Sequence, residues 1–492
     1  MATTWTIAVD WDKNGNYSGT YDDVTGRVIS ASWFLGMRQA YQDVADNSVL
    51  SLVLRNDDRR YSPEYTSSPL TTKVTLNRPV RIQSNDGTTT RTHWTGWIES
   101  IQPSVNLNGQ RIVTLIAAGT MQFYTAAETK LGLQVNQRAD QIIAALLAEI
   151  PSPPASSLEV GMTLPLAADN WVKQGGYTDS ERDTFDVYHA IADIAGAERG
   201  RFFFDRSGTA TFWNRAHLLY DQPIDVTLND AMMDLSYTYA GIDRCKNEVI
   251  IVCHPRNISA STTEVLWQLV GAVITIAPGQ TRKLYVKYQD DSGNRIGGQT
   301  VTLTGVTFAQ GTASSSIAPK ANGAELTFIN SGSVDAIVNA AIVRGQKITT
   351  FDIMEATSKD QPSIDNYGRR TLKLNLPALT NVSNAQDIAD FERNRRSTPR
   401  GEITSITLRS HGKQGGGYHA EQLGLTIGDR ISVQETQTAH NGSYYIIGEA
   451  HSLTKGATVL ETTWYLERTP DVYPWVLGHD VYSRLGVTTK LG

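Results

Sequence analysis

The stretch WTIAVDW (5–11) alternates apolar and polar residues, the two-residue period of a strand with one buried face. DVTGRVISASWFLG (23–36) reads in much the same way. NSVLSLVLRN, RPVRIQS, HWTGWIESI and QRIVTLIAAG follow as short strands divided by turn residues. This succession predicts a small β-barrel or sandwich over 1–120. Asn14-Gly15 between the first two strands predicts a tight type I′ hairpin, whose two central positions need φ > 0. LRNDDRRYSPEYTSSPL (54–70) reads as a long polar loop, and its Arg59, Arg60 and Tyr61 are candidates for contact with a partner.

Beyond 120 the period lengthens. NQRADQIIAALLAEIP places Ile142, Ile143, Leu146, Leu147 and Ile150 on one helical face, with Asn136 as candidate N-cap and Pro151 as the stop. SPPASS reads as a linker. DSERDTFDVYHAIADIAGAERG predicts a second amphipathic helix, with Phe185, Tyr188, Ala192 and Ala195 along one stripe and Gly196 just past its end. RFFFDRSGTATFWNR then predicts a hairpin turning at Asp205–Gly208, which makes 121–235 an α+β domain.

Strands return in a connection over 236–261 that includes CKNEVIIVC, read as one strand. Residues 262–355, rich in Gly, Thr and Val, predict an inserted β-sandwich or barrel. A strand–helix–strand segment (356–420) completes the α+β region. Its helix has a Ser383–Gln386 capping box, an apolar side of Ala385, Ile388, Ala389 and Phe391, and Pro399 as its stop. LTIGDRISVQE, GSYYIIGEAHSL and VLETTWYLERT form a closing meander within a β domain over 421–470. In its last strand Leu460, Thr462, Trp464 and Leu466 share one side. The tail 471–492 is too short for a core of its own; Tyr473 and Trp475 are its candidate partner contacts. The fold class is mainly β with an α+β portion, in several domains. No second full repeat aligns by eye.

The 492 residues exceed one hydrophobic core and suit roughly three to five domains. No apolar run is long enough to span a bilayer, and the N-terminus lacks a basic n-region, so folding in a cytoplasm is expected. Cys245 and Cys253 lie too far apart along one strand for a disulfide. A net charge of −6 argues against a sequence-independent nucleic-acid binder. It does suit a surface past which DNA slides, because a lumen that must not hold DNA should lack Lys and Arg clusters.

Candidate chemistry is sparse. Asp10, Asp12 and Asn14 alternate as in a calcium loop, with Gly15 at the turn, but position twelve is Tyr21 where a bidentate Glu belongs. A structural hairpin is the preferred reading and a calcium site the alternative. No phosphate-binding, dinucleotide, zinc-protease or nucleophile-elbow motif occurs, and the nine histidines are scattered. HGKQGGGYH (411–419) reads as a flexible hairpin tip. Glu99, Asp205, Glu402 and Glu449 are available as a hydrolase pair, although no neighbouring residue marks them. No catalytic residue and no cofactor is expected.

Several stretches, taken in order, resemble hub proteins at the tail tips and baseplates of tailed bacteriophages. They are DWDKNGNYSGTYDDVTGRVISASWFLGM with ADNSVLSLVLRNDDRRYSPE, ELTFINSGSVDAIVNAAIVRGQKIT, SIDNYGRRTL, the Ser383 helix, and LGLTIGDRISV with YYIIGEAHSL. The resemblance implies two hub-type β-barrels, N- and C-terminal, alternating as a pseudo-sixfold ring in a homotrimer, with the α+β domain and the insertion outside. It implies a virion structural protein at the tail tip, assembled in the host bacterial cytoplasm and closing or gating the DNA channel. The implied partners are the distal tail or tail-tube ring protein, the tape-measure protein and central spike or tail fibre proteins, with viral DNA passing unbound. A tail-associated hydrolase of host envelope polymers and a receptor-binding adhesin are the alternatives.

Overall fold

The computed structural model describes residues 3–105, 109–129, 131, 134–167, 186–219, 222–229, 232, 234–239, 244–320, 322–411 and 417–470. Its largest sheet has twelve strands. In the N-terminal part these are β1 (Thr4–Val9), β2 (Val28–Gly36), β3 (Val49–Arg55), β4 (Pro79–Asn85), β5 (Thr90–Val105) and β6 (Arg111–Ala118). Later in the chain come β7 (Val226–Leu228), β8 (Asp234–Tyr239), β9 (Gly401–His411), β10 (Arg430–Glu435), β11 (His440–Thr454) and β12 (Val459–Arg468). Their order is β1-β4-β5-β6-β3-β2-β11-β12-β9-β8, with β10 beside the first part of β11 and β7 beside β10.

Divided into two sets of six, the strands repeat one topology. The order is β1-β4-β5-β6-β3-β2 in the first set and β7-β10-β11-β12-β9-β8 in the second. Local detail repeats as well. A bulge falls between Ile98 and Ser100 in β5 and between Ile446 and Gly448 in β11. Ile98 donates its N–H to Arg78 O and accepts from Asn77 N–H; Ile446 does the same with Asp429 O and Gly428 N–H. Asn77 and Gly428 both have positive φ, 60° and 103°. One strand departs from the repeat: β1 runs antiparallel to β4, whereas β7 runs parallel to β10.

Each set wraps its own core. β1 is covered on its second edge by the chain leading into β2, where Val9 N–H donates to Asp22 O and Val24 N–H to Ile7 O, both at 2.9 Å. The first sheet thus folds back on itself around Trp5, Ile7, Leu52, Ile82, Trp94 and Leu115. The second set encloses Leu228, Ile406, Ile431, Tyr444, Ile446 and Trp464. It takes strands from 226–239 and 401–411, so residues 421–470 supply only half of the C-terminal unit. The alternation expected in β12 holds: Leu460, Thr462, Trp464 and Leu466 are all buried. Leu460 belongs to the first core, however, and Trp464 to the second.

Several local expectations change. Asn14-Gly15 is not a tight hairpin: β1 pairs with β4, and residues 10–21 form a wide loop before the Ala8–Asp23 bridge. Positive φ falls on Lys13 and Gly15, because both Asp10 carboxylate oxygens take backbone N–H groups, from Asn14 and Gly15. The helix Ala139–Leu147 starts from Arg138, since Asn136 lies in the strand Gln134–Arg138. The helix Val187–Glu198 is capped by Asp186, and Gly196 lies inside it. Its left-handed C-terminal residue is Arg199, and its buried stripe is Val187, Ala190, Ile191, Ile194 and Ala195. Phe185 lies outside the described residues. Asn381, rather than Ser383, caps the helix Val382–Arg396 by accepting Ser383 N–H.

The rest follows the sequence more closely. The Asp205–Gly208 turn joins strands Arg201–Phe204 and Ala210–Trp213 as expected. The insertion is a five-stranded sheet packed on a three-stranded one around Leu266, Tyr288, Phe328 and Val343, and its first strand begins at Arg256. Cys253 ends the strand Glu248–Cys253, but Cys245 precedes it; both are buried free thiols. Most of 411–419 lies outside the described residues.

Candidate functional site: a polar sheet face backed by buried ion pairs

Where the two halves meet, β2 pairs antiparallel with β11, from Ala31 opposite Leu453 to Gly36 opposite Gly448. The approach is close. A Cβ at Gly448 would lie 2.1 Å from Met37 O, so only glycine fits there. The junction makes one continuous surface of seven strands. Reading straight across it, Ser100, Ile116, Ser51, Ser32, Ser452, Glu461 and Arg409 stand in register on β5, β6, β3, β2, β11, β12 and β9. A neighbouring row carries Phe34, Ala450, Thr463, Thr407 and Asp234. The first row is mostly hydroxyl-bearing, and its one acid faces its one base across a strand pair. A shallow groove lined by Ser32, Ser51, Ser452, Glu461 and Thr463 runs over the junction.

The opposite side of the same strands changes character at the junction. Ala117, Leu50 and Trp33 belong to the first core and Leu408 to the second, whereas His451 and Thr462 lie between them in register. His451 stacks on Trp33 at 5.0 Å and bonds Thr462 Oγ1 at 3.0 Å. Beside it Glu449 is fully buried. The α+β unit reaches it with Arg206, carried on the Asp205–Gly208 turn. Arg206 Nε and Nη2 donate to the two Glu449 oxygens at 2.7 and 2.5 Å, and its remaining N–H groups to Leu423 O and Leu425 O. This planar fork satisfies a buried carboxylate in the way a lysine could not.

Two further pairs extend the seam. Arg201 donates to Glu467 at 2.5 Å, and Glu467 also accepts from Arg395 and from Tyr41 N–H. Arg199, at the end of its helix, bridges Glu392 at 2.9 Å and Asp43 at 2.5 Å. Burial alone would raise the Glu449 and Glu467 carboxyls. Arg206 nevertheless holds Glu449 far below the usual carboxylate range, and Arg201 with Arg395 brings Glu467 down to about 2. Burial lowers His93 well below its ordinary value and lowers His451 too. Arg201 and Arg206 thereby fasten the α+β unit to the strands β12 and β11, and Arg199 ties the same segment to the loop after β2 and to the helix Val382–Arg396.

The residues singled out from sequence have other partners. Asp10 is buried and organises its loop, Asp12 pairs with Lys73 at 2.6 Å, and Asn14 accepts Asn16 N–H. Tyr61 is not available to a partner: it is buried and stacked on Trp11 at 5.7 Å. Arg60 pairs with Asp58, and Arg59 lies exposed over Tyr65. Tyr473 and Trp475 lie outside the described residues. Among the acids, Glu99 is exposed, and Asp205 accepts from Ser207 and Thr209 N–H. Glu402 pairs with Arg244 and Arg400, and Glu449 with Arg206. The buried acids therefore serve as anchors. The signal for them was present in RFFFDR and YYIIGEAHSL, where charge interrupts an apolar strand.

No protein-family model matches the chain, and no curated protein matches it. Among solved structures it is similar to the tail protein from Neisseria meningitidis MC58, with 12% identity and a TM-score of 0.52, over 96% of this chain and 100% of that one. The 43 kDa tail protein of prophage MuSo2 from Shewanella oneidensis aligns with 10% identity and a TM-score of 0.49, over 95% and 100%. Prophage tail protein gp18 from Listeria monocytogenes EGD-e aligns with 8% identity and a TM-score of 0.41, over 95% of each chain. The Neisseria match runs end to end, so the chain has a tail-protein fold, in line with the resemblance read from its sequence.

Proposed function

We propose that the chain is a structural subunit of a phage-type tail tip, a hub in which copies close into a ring around the DNA channel. The observation that carries this reading is the duplicated six-strand unit, joined edge to edge so that a row of serines crosses both halves. Two quasi-equivalent units per copy turn threefold symmetry into near-sixfold symmetry, which suits docking onto a sixfold tube. The family resemblance supplies the number three.

The hydroxyl-rich face suits a lumen wall. DNA is retained by neutralising its phosphates, and a row whose single arginine is matched by a glutamate has little to offer them. The ion-pair seam holds the α+β unit on the other side of that wall. Partners at the two ends of such a ring are a tail-tube ring protein with its tape measure above, and spike or fibre proteins below. No step of this role requires turnover, and the buried acids already have structural partners.

Native mass measurement of the purified protein together with cryo-electron microscopy of particles tests the reading. A closed ring of three at the tail tip, with Ser32 and Ser452 facing the channel, is expected. A protein that stays monomeric and is absent from particles would overturn it.

A further inference from the structure

The internal repeat shows what each open strand edge would accept. In the second unit β11 is covered on one edge by β12 along its length. Its other edge is covered by β10 over residues 440–445 and by β2 over 448–453. In the first unit β5 is covered by β6 and, over 90–97, by β4. The edge that corresponds to the β2-covered part of β11 is residues 99–105, and among the described residues it carries no strand. The corresponding member of the other pair is β8, the counterpart of β2. Among the described residues β8 pairs with β9 on one edge only, whereas β2 pairs with both β3 and β11.

Exposure tells the same story. Val105 is 66% exposed where its counterpart Leu453 is fully buried, and Tyr239 is 69% exposed where the corresponding Leu35 is buried. Each half of a junction is therefore present in the chain, on surfaces that a second copy would complete. A long uncovered edge is an aggregation hazard unless it is paired.

We infer that β8 of one copy adds antiparallel to the 99–105 edge of β5 in the next copy, in the register that β2 and β11 use within the chain. The two bulges fix that register. Counting from Ile98 and Ile446 places Ser104 at the position of Ser452. The shared row through Ser51 and Ser405 places Ser236 at the position of Ser32. Ser32 faces Ser452 inside the chain, so Ser236 faces Ser104 between copies. Leu235 then meets Val105, as Ala31 meets Leu453. Pro103 stands where His451 stands and has no N–H, so the inter-copy ladder has one donor fewer than the internal one. The contact is heterologous: each copy offers β8 to one neighbour and β5 to the other, which closes a ring and continues the sheet through it.

This inference rests on the ring reading, and the test separates the two. Directly opposite residues on antiparallel strands lie within disulfide reach. The double variant Ser236→Cys/Ser104→Cys, oxidised and run without reductant, should yield covalent dimer and trimer. Ser236→Cys/Gln102→Cys, two residues out of register, and each single variant should yield neither. Native mass is measured on every sample. A ring of three that stays uncrosslinked in the matched variant overturns the strand pairing and leaves the ring standing. A monomer without crosslinks overturns both. Equal crosslinking by the mismatched pair overturns the register and with it this inference.

Discussion

The two six-strand units share topology, bulge position and turn bonding, yet equivalent positions in them are chemically unlike. Ile101 in the first unit corresponds to Glu449 in the second, and Ala118 corresponds to Glu467. The first unit is organised mainly around Trp5, Trp94 and aliphatic side chains, with His93 as a buried polar member bonded to Ser84. The second carries two buried carboxylates, each held by an arginine from the α+β unit. A buried ion pair is weak evidence for added stability, because desolvation offsets most of its attraction, but it is exacting about which partner completes it. The comparison teaches that one topology can serve twice: once around a mainly apolar core that also takes in Phe203, Trp213 and Leu460, once as a socket for arginines of another domain.

The sharpest way to break that contrast is Arg206→Met. It strands Glu449 in a dry site and should destabilise the protein by about 3–5 kcal/mol, read as a shift in the urea midpoint. Arg206→Met with Glu449→Leu should recover most of the loss. If the single variant costs less than about 1 kcal/mol, the socket reading fails.

Acid gives the next test, through one buried histidine in each unit and Glu467 in the second. Burial depresses His93 and His451, so their unfolded forms bind protons first, and stability falls as pH drops below about 6.5. The Glu467 carboxyl falls from 4.5 to about 2 in the fold, so its contribution is complete above pH 4.5 and lost between there and pH 2. That contribution is about 3 kcal/mol. Glu467→Gln should flatten this lower limb when unfolding is followed against pH. An unchanged limb would show that the acid sensitivity lies elsewhere.

The bulge-adjacent turns give a smaller effect with opposite outcomes in the two units. Gly428→Asn, at φ 103° and with Trp213 3.0 Å from any Cβ, should cost about 1–3 kcal/mol. Asn77→Gly, at φ 60°, should change stability by no more than about 0.5 kcal/mol, because asparagine already tolerates that conformation. Thermal midpoints of the two variants make the comparison directly.

Strand patterning was legible where one face is buried and the other more exposed, as in β12, and the Asp205–Gly208 hairpin was legible from its turn, although its strands are buried almost throughout. Helix cores were also legible: Ile142, Ile143, Leu146 and Leu147 are buried as their spacing required. Caps were not: Asn136 is taken up in the strand Gln134–Arg138, and the Asn381 side chain, two residues before Ser383, accepts the Ser383 N–H. The repeat was hidden for a different reason. What is duplicated is hydrogen-bond order, and residues such as Ile101 and Glu449 diverged once one unit became a socket. A 161-residue excursion between β8 and β9, from 240 to 400, hid it further. Nor could the seam be read from spacing, since Arg206 and Glu449 are 243 positions apart.

Another small predicted effect is the most diagnostic for the first unit. Ile82 is fully buried in that core and pairs across strands with Ile7 and Trp94. Ile82→Val removes one methylene from a close-packed site, at a cost of about 0.5–1.5 kcal/mol from lost transfer energy and the small cavity left behind. Neither term depends on protonation, so the loss should be the same at pH 7 and pH 4, whereas the Glu467→Gln loss shrinks over that interval. A pH-dependent Ile82→Val difference would mean that the first core is coupled to the charged seam. The route would be Trp33 and the His93–His451 ring contact at 6.2 Å, and the two units would then unfold as one.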